Sequence, residues 1–272
     1  MAEALEEDGA TALGLPGAMR VDRVGALVRA GAFDRGDLVA SDYYAQLIAA
    51  VATREGTCLE IGAGRGTKTF MMMLMPNGVT WTMITSRSTC TRQMPGELPA
   101  RGSIRLGEIR FVAGDATDLD ACLAVLDKEY RHAARFDTVF VDAPCSGTGT
   151  MRRHGEIPWR LTPQECDRDL PKLQLAMLRA AADRVAPPRG AYLRHLLGAA
   201  GREHRVVTAF LASPEGEGFV PVSVSDALRD AGSAYAAAAH DLAVCENADG
   251  LFQSHPTRDG FDGHFCARIV RK

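Results

Sequence analysis

Residues 57–69 read TCLEIGAGRGTKT. The first part, TCLEI at 57–61, is a short apolar run with an acid near its end, the pattern of a buried strand. The second part, GAGRGTKT at 62–69, is a glycine-rich turn that opens a helix. Glycine lets a backbone bend sharply and come close to a ligand. Glu60, Gly62, Ala63, Gly64 and Gly66 are therefore candidate ligand-binding residues, with a plain strand–helix turn as the alternative. A phosphate-cradling P-loop is excluded, because Lys68 is out of register with G-x-x-x-x-G-K-[ST].

Outward from this stretch, strands and helices alternate. Val79 to Ile84 reads as a second strand, IRFVAGD at 109–115 as a third and FDTVFVDAP at 136–144 as a fourth. A helix is expected from Leu119 to Tyr130. A long one starts at Thr162, as cap, with Pro163 at its first position, and runs to about Arg184. Strand-like runs follow near 191–197, 219–224 and 264–270. This alternation, with acids at strand ends, predicts an α/β chain with a doubly wound, mostly parallel sheet. Ligands on such sheets bind at the carboxyl ends of the strands. Upstream, YYAQLIAAVAT at 43–53 has helical spacing, capped by Ser41 or Asp42. Val21 to Ala30 is also helical in pattern. Residues 1–20 are expected to be frayed. The domain reading is an extension over 1–40, partly helical, and one domain over 41–272.

The 272 residues suit one α/β domain plus roughly 50–70 residues of decoration. Hydrophobic residues at 46% and charged residues at 24% exclude a disordered or fibrous chain. A net charge of −3 excludes a chain that is basic all over, though not a local basic groove. The cysteines, at 58, 90, 122, 145, 166, 245 and 266, form no C-x-x-C motif, so no metal is expected. They read as thiols in a reducing, cytoplasmic compartment. No apolar h-region opens the chain and no run of 18 apolar residues exists, so neither a signal peptide nor a membrane span is expected.

Two further stretches carry chemistry. Asp115 closes the third strand, where a carboxylate can accept the exocyclic amine of an adenine; a cap for the following helix is the alternative. Asp142-Ala143-Pro144-Cys145-Ser146-Gly147-Thr148-Gly149-Thr150 ends the fourth strand in an acid and continues into a small-residue loop. An accessible thiol near cations can attack an electron-poor carbon. Met151-Arg152-Arg153-His154 follows, with Trp159-Arg160 beyond. Arg152, Arg153 and Arg160 beside an aromatic suit a phosphodiester backbone and a stacked base. A solvated basic turn is the alternative.

FDTVFVDAPCSGTGTMRRHGEIPWRLTPQE, then KLQLAMLRAA, resembles the Sun/Nop-type (Fmu family) RNA (cytosine-5) methyltransferases. The likeness runs from Asp42-Tyr43-Tyr44-Ala45-Gln46 to Asp259-Gly260-Phe261-Asp262-Gly263-His264-Phe265-Cys266-Ala267-Arg268. The resemblance implies a Rossmann-like class I fold, S-adenosyl-L-methionine as cofactor and RNA, ribosomal or transfer, as substrate. It places Ala63, Gly66, Lys68 and Thr69 on the family's cofactor loop, usually Cys-Ala-Ala-Pro-Gly-Gly-Lys-Thr; Gly62, Gly64, Arg65 and Thr67 depart from it. It puts Asp115 on the adenine side and Asp142, Cys145 and Lys68 in the active site. In that chemistry a thiolate adds to cytosine C6, C5 attacks the methyl group, a base removes the C5 proton and the thiol leaves. The family uses two cysteines: the nucleophile in Tyr-Ser-Thr-Cys-Ser, and the Cys of Asp-Ala-Pro-Cys, which helps release the product.

The nucleophile's motif is missing here. The chain reads APPRGAYLRHLLGAAGREHRVV, with Leu196 near the expected cysteine, and no Cys lies between 166 and 245. Met83-Ile84-Thr85-Ser86 stands where a second-strand acid would hold the cofactor ribose. We hypothesise that 188–205 is translated out of frame. With suitably chosen codons, a one-base shift recovers Gly-Gly, Tyr-Asp-Thr-Cys-Ser and Pro-Glu-Glu-Asn in order. Three functions compete: an impaired cytosine-5 methyltransferase, a non-catalytic RNA- or cofactor-binding homologue, and a methyltransferase that acts on another substrate or uses Cys145 as its nucleophile. Targeting is expected from residues 1–40 or from a partner, in place of the RNA-binding domain of longer relatives.

Overall fold

TCLEI alternates its side chains between two apolar layers. Cys58 packs with one core cluster, while Leu59 and Ile61 pack with the other. A strand buried on both faces belongs at the centre of a parallel sheet, and that is its place in the computed structural model. The structure describes residues 2–53, 56–64, 66–73, 79–85, 109–124, 135–187, 192–197 and 203–272.

Strands β1 (Thr11–Ala12) and β2 (Met19–Arg20) form a small antiparallel pair. The main sheet contains β3 (Gly56–Ile61), β4 (Val79–Thr85), β5 (Ile109–Ala113), β6 (Thr138–Asp142), β7 (Tyr192–Leu197), β8 (Phe219–Val222), β9 (Phe252–Gln253) and β10 (Phe265–Arg271). Its order is β5-β4-β3-β6-β7-β10-β8, with β9 paired to β10. Pairs β3–β4, β4–β5, β3–β6 and β6–β7 are parallel; β10 runs antiparallel to β7, β8 and β9. The chain winds outward in opposite directions from β3 and β6, so their carboxyl ends flank the switch point where such sheets bind ligands. Pro221 lies in β8, an edge strand, where a missing amide costs no central ladder bond.

Helices cover both faces. Tyr43–Ala52 and Ala236–Ala243 bury residues in one cluster; Leu170–Ala182 and Glu203–Leu211 contribute to the other. Asp42 caps Tyr43–Ala52, accepting from the Tyr44 amide at 3.0 Å. The Thr162 cap is a reciprocal box with Glu165: the Thr162 amide and hydroxyl donate to Glu165 Oε2, and the Glu165 amide donates to Thr162 Oγ1. The helix then widens into a π-turn over Glu165–Asp169 before Leu170–Ala182. Pro171, which has no amide to donate, stands just past the widening. The regular helix ends at Ala182, two residues short of the sequence expectation. Of the helix expected from Leu119 to Tyr130, Leu119–Leu123 is observed, and 125–130 lies outside the described residues.

One expectation is corrected at the N-terminus. Residues 2–20 are anchored at the buried Asp8, Leu15 and Ala18, while the helix Ala2–Glu7 and both short strands bury no residue. Leu15 and Ala18 are buried in the same cluster as Tyr43–Ala52. Asp8 is buried and accepts from the Ala26 and Leu27 amides at 3.0 and 2.9 Å, at the start of the helix Gly25–Arg29. The turn-rich composition concealed this anchoring. No helix among the described residues is long and apolar enough to cross a membrane.

Candidate active site

The glycine turn after β3 and the Asp142 loop after β6 meet at the same sheet edge. Gly62 has φ +85°, and a Cβ there would lie 2.2 Å from the Asp142 carbonyl oxygen, so only glycine lets these loops touch. Gly64 has φ +57°, and a Cβ there would meet only the Gly62 carbonyl oxygen, at 3.7 Å. Ala63 is buried beneath the turn. Lys68, in the first turn of Thr67–Met73, donates to Asp142 Oδ2 at 2.8 Å, with both side chains about one-fifth exposed. A charge-assisted bond in this partly dry place fixes the carboxylate's direction.

Glu60 sits below, fully buried. Thr69 Oγ1 donates to its Oε2 at 2.5 Å, while its buried Oε1 has no partner among the described residues. Burial pushes its pKa up to about 8; Thr69 opposes this, and the nearby Asp142 charge adds to it. An orphaned carboxyl oxygen under a glycine cradle fits a ligand with polar amino-acid groups.

Asp115 lies at the carboxyl end of β5 and is exposed. Its Oδ1 accepts from the Thr117 amide at 2.8 Å and the Thr117 hydroxyl at 2.7 Å, which hold its carboxyl below the usual range. It is not the helix cap: Asp118 caps Leu119–Leu123 through the Ala121 amide. Cys145 follows Asp142 by three residues and is half-buried. Buried Gln174, from the helix Leu170–Ala182, donates to the Pro144 carbonyl at 2.9 Å and pins the loop at its start. Sequence reading missed Gln174; a lone glutamine on the apolar side of KLQLAML was the available signal. In β7 the backbone register sets Leu196 beside Asp142. The cysteine-bearing position that the resemblance assigns to the next strand therefore falls at this same edge.

The basic cluster divides. Arg160 is exposed at the end of Ile157–Arg160, next to Trp159, which is 91% exposed. Arg153, expected to contact RNA, grips Asp262 with its side chain half exposed: its Nε donates to Oδ2 at 2.9 Å and its Nη2 donates to the same oxygen. Arg152 Nη2 lies 3.6 Å from Asp262 Oδ1 but is half exposed. Arg65, residues 86–108 and 188–191 lie outside the described residues, as does half of the segment with the hypothesised frame change.

The fold is that of a Rossmann-like class I methyltransferase. Within that class, the chain belongs to the 16S rRNA methyltransferase RsmB/F family, which it matches over residues 48–270. It is 28% identical over 250 residues to ribosomal RNA small subunit methyltransferase B of Sodalis glossinidius, covering 88% of this chain and 50% of that protein. It is 41% identical over 80 residues to the protein of the same name in Thermus thermophilus, covering 29% of this chain and 19% of that one. The crystal structure of PH0851 shares its fold, with a TM-score of 0.73 at 21% identity, over 99% of this chain and 56% of that one. The chain spans half the length of its Sodalis relative. The family is one of S-adenosyl-L-methionine-dependent enzymes, and the glycine cradle, the orphaned Glu60 oxygen and the Lys68–Asp142 pair fit that cofactor.

Proposed function

We propose that this chain is an RNA methyltransferase that transfers a methyl group to C5 of cytosine, with ribosomal RNA as substrate. The observation that carries this reading is the meeting of the glycine turn, the Lys68–Asp142 pair and the Cys145 loop at two neighbouring strand ends. When bound, S-adenosyl-L-methionine supplies the methyl group. The turn from Gly62 to Gly66 receives the cofactor, Glu60 accepts its polar groups and Asp115 stands on the adenine side. Lys68 orients Asp142, and Cys145 presents a thiol to the base. Arg152 and Arg160, with the exposed Trp159 ring, offer cations and a stacking face to the RNA strand.

Leu196 stands where the resemblance places the nucleophilic cysteine, so the chain binds cofactor and RNA better than it turns them over. Loss of a nucleophile removes several orders of magnitude in rate, because the groups around it act as a unit. That same leucine favours a second reading, a catalytically inactive homologue that binds RNA and cofactor. In this account residues 41–272 form the catalytic domain, 1–40 are an extension packed on it, the protein is cytoplasmic, and a partner aids targeting.

Calorimetry with S-adenosyl-L-methionine, followed by trapping on 5-fluorocytosine RNA, tests the proposal. Cofactor binding that Asp142→Asn weakens, together with slow covalent trapping, is expected. Binding without any trapping favours the inactive homologue. Absence of cofactor binding contradicts both.

A further inference from the structure

The carboxylate of Asp262 is wholly buried, although it lies far in sequence from the glycine turn and the Cys145 loop. Both of its oxygens face arginines of the segment that follows Cys145: Arg153 grips it through Nε and Nη2, and Arg152 Nη2 lies 3.6 Å away. Burying a carboxylate is costly unless it is paired and hydrogen-bonded, so this site is built around the ion pair. The Asp262 amide donates to Asp42 Oδ2 at 2.9 Å, and its carbonyl accepts from the Ser254 hydroxyl at 2.9 Å. Next to it, the Gly263 amide donates to the Gly149 carbonyl at 2.8 Å, and a Cβ on Gly263 would come within 3.0 Å of Gly149 Cα. The approach is closed on the other side by Asp42, whose Oδ1 lies 3.2 Å from His264 Nε2.

The Cys145 loop is therefore held at two ends. Gln174 fixes Pro144 before the thiol, and Gly263 and Asp262 fix Gly149 and Arg153 after it. We propose that Asp262 is a positioning residue, which acts through Arg153 to hold the Cys145 loop in its working shape. The wider importance of that loop rests on the methyltransferase reading above; the clamp itself rests on the contacts just given. Arg153 then serves the loop, and Arg152 and Arg160 are left to face RNA.

The test is the alkylation rate of Cys145 by iodoacetamide, read peptide by peptide, with Cys166 of the same molecule as reference. Asp262→Asn and Arg153→Met are each expected to change the Cys145 rate relative to Cys166 by more than about three-fold. The double variant is expected to match the single ones, because both remove the same contact. Arg153→Lys, which keeps the charge, should recover part of the effect. An unchanged ratio, equal changes at both cysteines, or fully additive effects overturn the proposal. S-adenosyl-L-methionine affinity measured in parallel separates the two claims: its absence in the parent protein sinks the methyltransferase reading, while the clamp stands or falls on the Cys145 ratio alone.

Discussion

At the scale of single residues, Glu60 is a carboxyl group whose fully buried setting changes its chemistry. Its pKa of about 8 in the fold stands well above the unfolded value of 4.5. A raised carboxyl pKa means that the native state binds the proton more tightly than the unfolded chain. The stability it contributes is full below about pH 4.5 and is lost as pH rises through about 8. Glu60→Gln should flatten that part of the stability–pH curve, and denaturant unfolding across this window checks it. A variant curve parallel to the parent's means that Glu60 is ionised in the fold throughout. Asp115 offers a second residue-scale expectation. Its Oδ1 is already engaged by Thr117, so Asp115→Ala should weaken cofactor binding by about 1 kcal/mol, roughly five-fold in Kd. Unchanged affinity would leave Asp115 a turn-forming residue only.

At the scale of elements, the sequence made the central strands legible, because TCLEI and FDTVFVD are apolar runs with an acid at or near the end. The turn 62–69, the Asp142–Cys145 loop and the Thr162–Pro163 helix start were legible too, since local chemistry dictates each. The π-turn was not, because widening before Pro171 depends on how the helix lies on the sheet. Nor were the Asp262–Arg153 and Gln174–Pro144 contacts, which join distant segments and leave no periodic trace. The N-terminal segment was misjudged for the same reason: Gly, Pro and Ala suggest a loose chain, yet Leu15 has only 2% of its surface exposed. Leu15→Ala should therefore cost about 2–4 kcal/mol of stability, the toll of a core cavity. A loss below about 0.5 kcal/mol, the level of an ordinary surface change, would mean that the segment packs loosely in solution.

At the scale of the whole molecule, the family's sheet is present, while the Tyr-Ser-Thr-Cys-Ser motif that the resemblance implies is absent from the sequence. The backbone of β7 reaches the same edge, with Leu196 in register with Asp142. The missing feature is therefore a side chain at a position the fold still provides. We propose a shifted reading frame over 188–205 as the origin, and the gene sequence decides it: codons at 193–197 that give no Thr-Cys-Ser in another frame contradict that origin. The central claim, cytosine-5 methylation of RNA, is tested most directly by incubating the protein with ribosomal RNA and methyl-labelled S-adenosyl-L-methionine, then digesting the RNA to nucleosides. The account predicts label in 5-methylcytidine, formed slowly and faster once the 188–205 segment is restored to the family motif. Label in any other nucleoside, or none even after restoration, contradicts it.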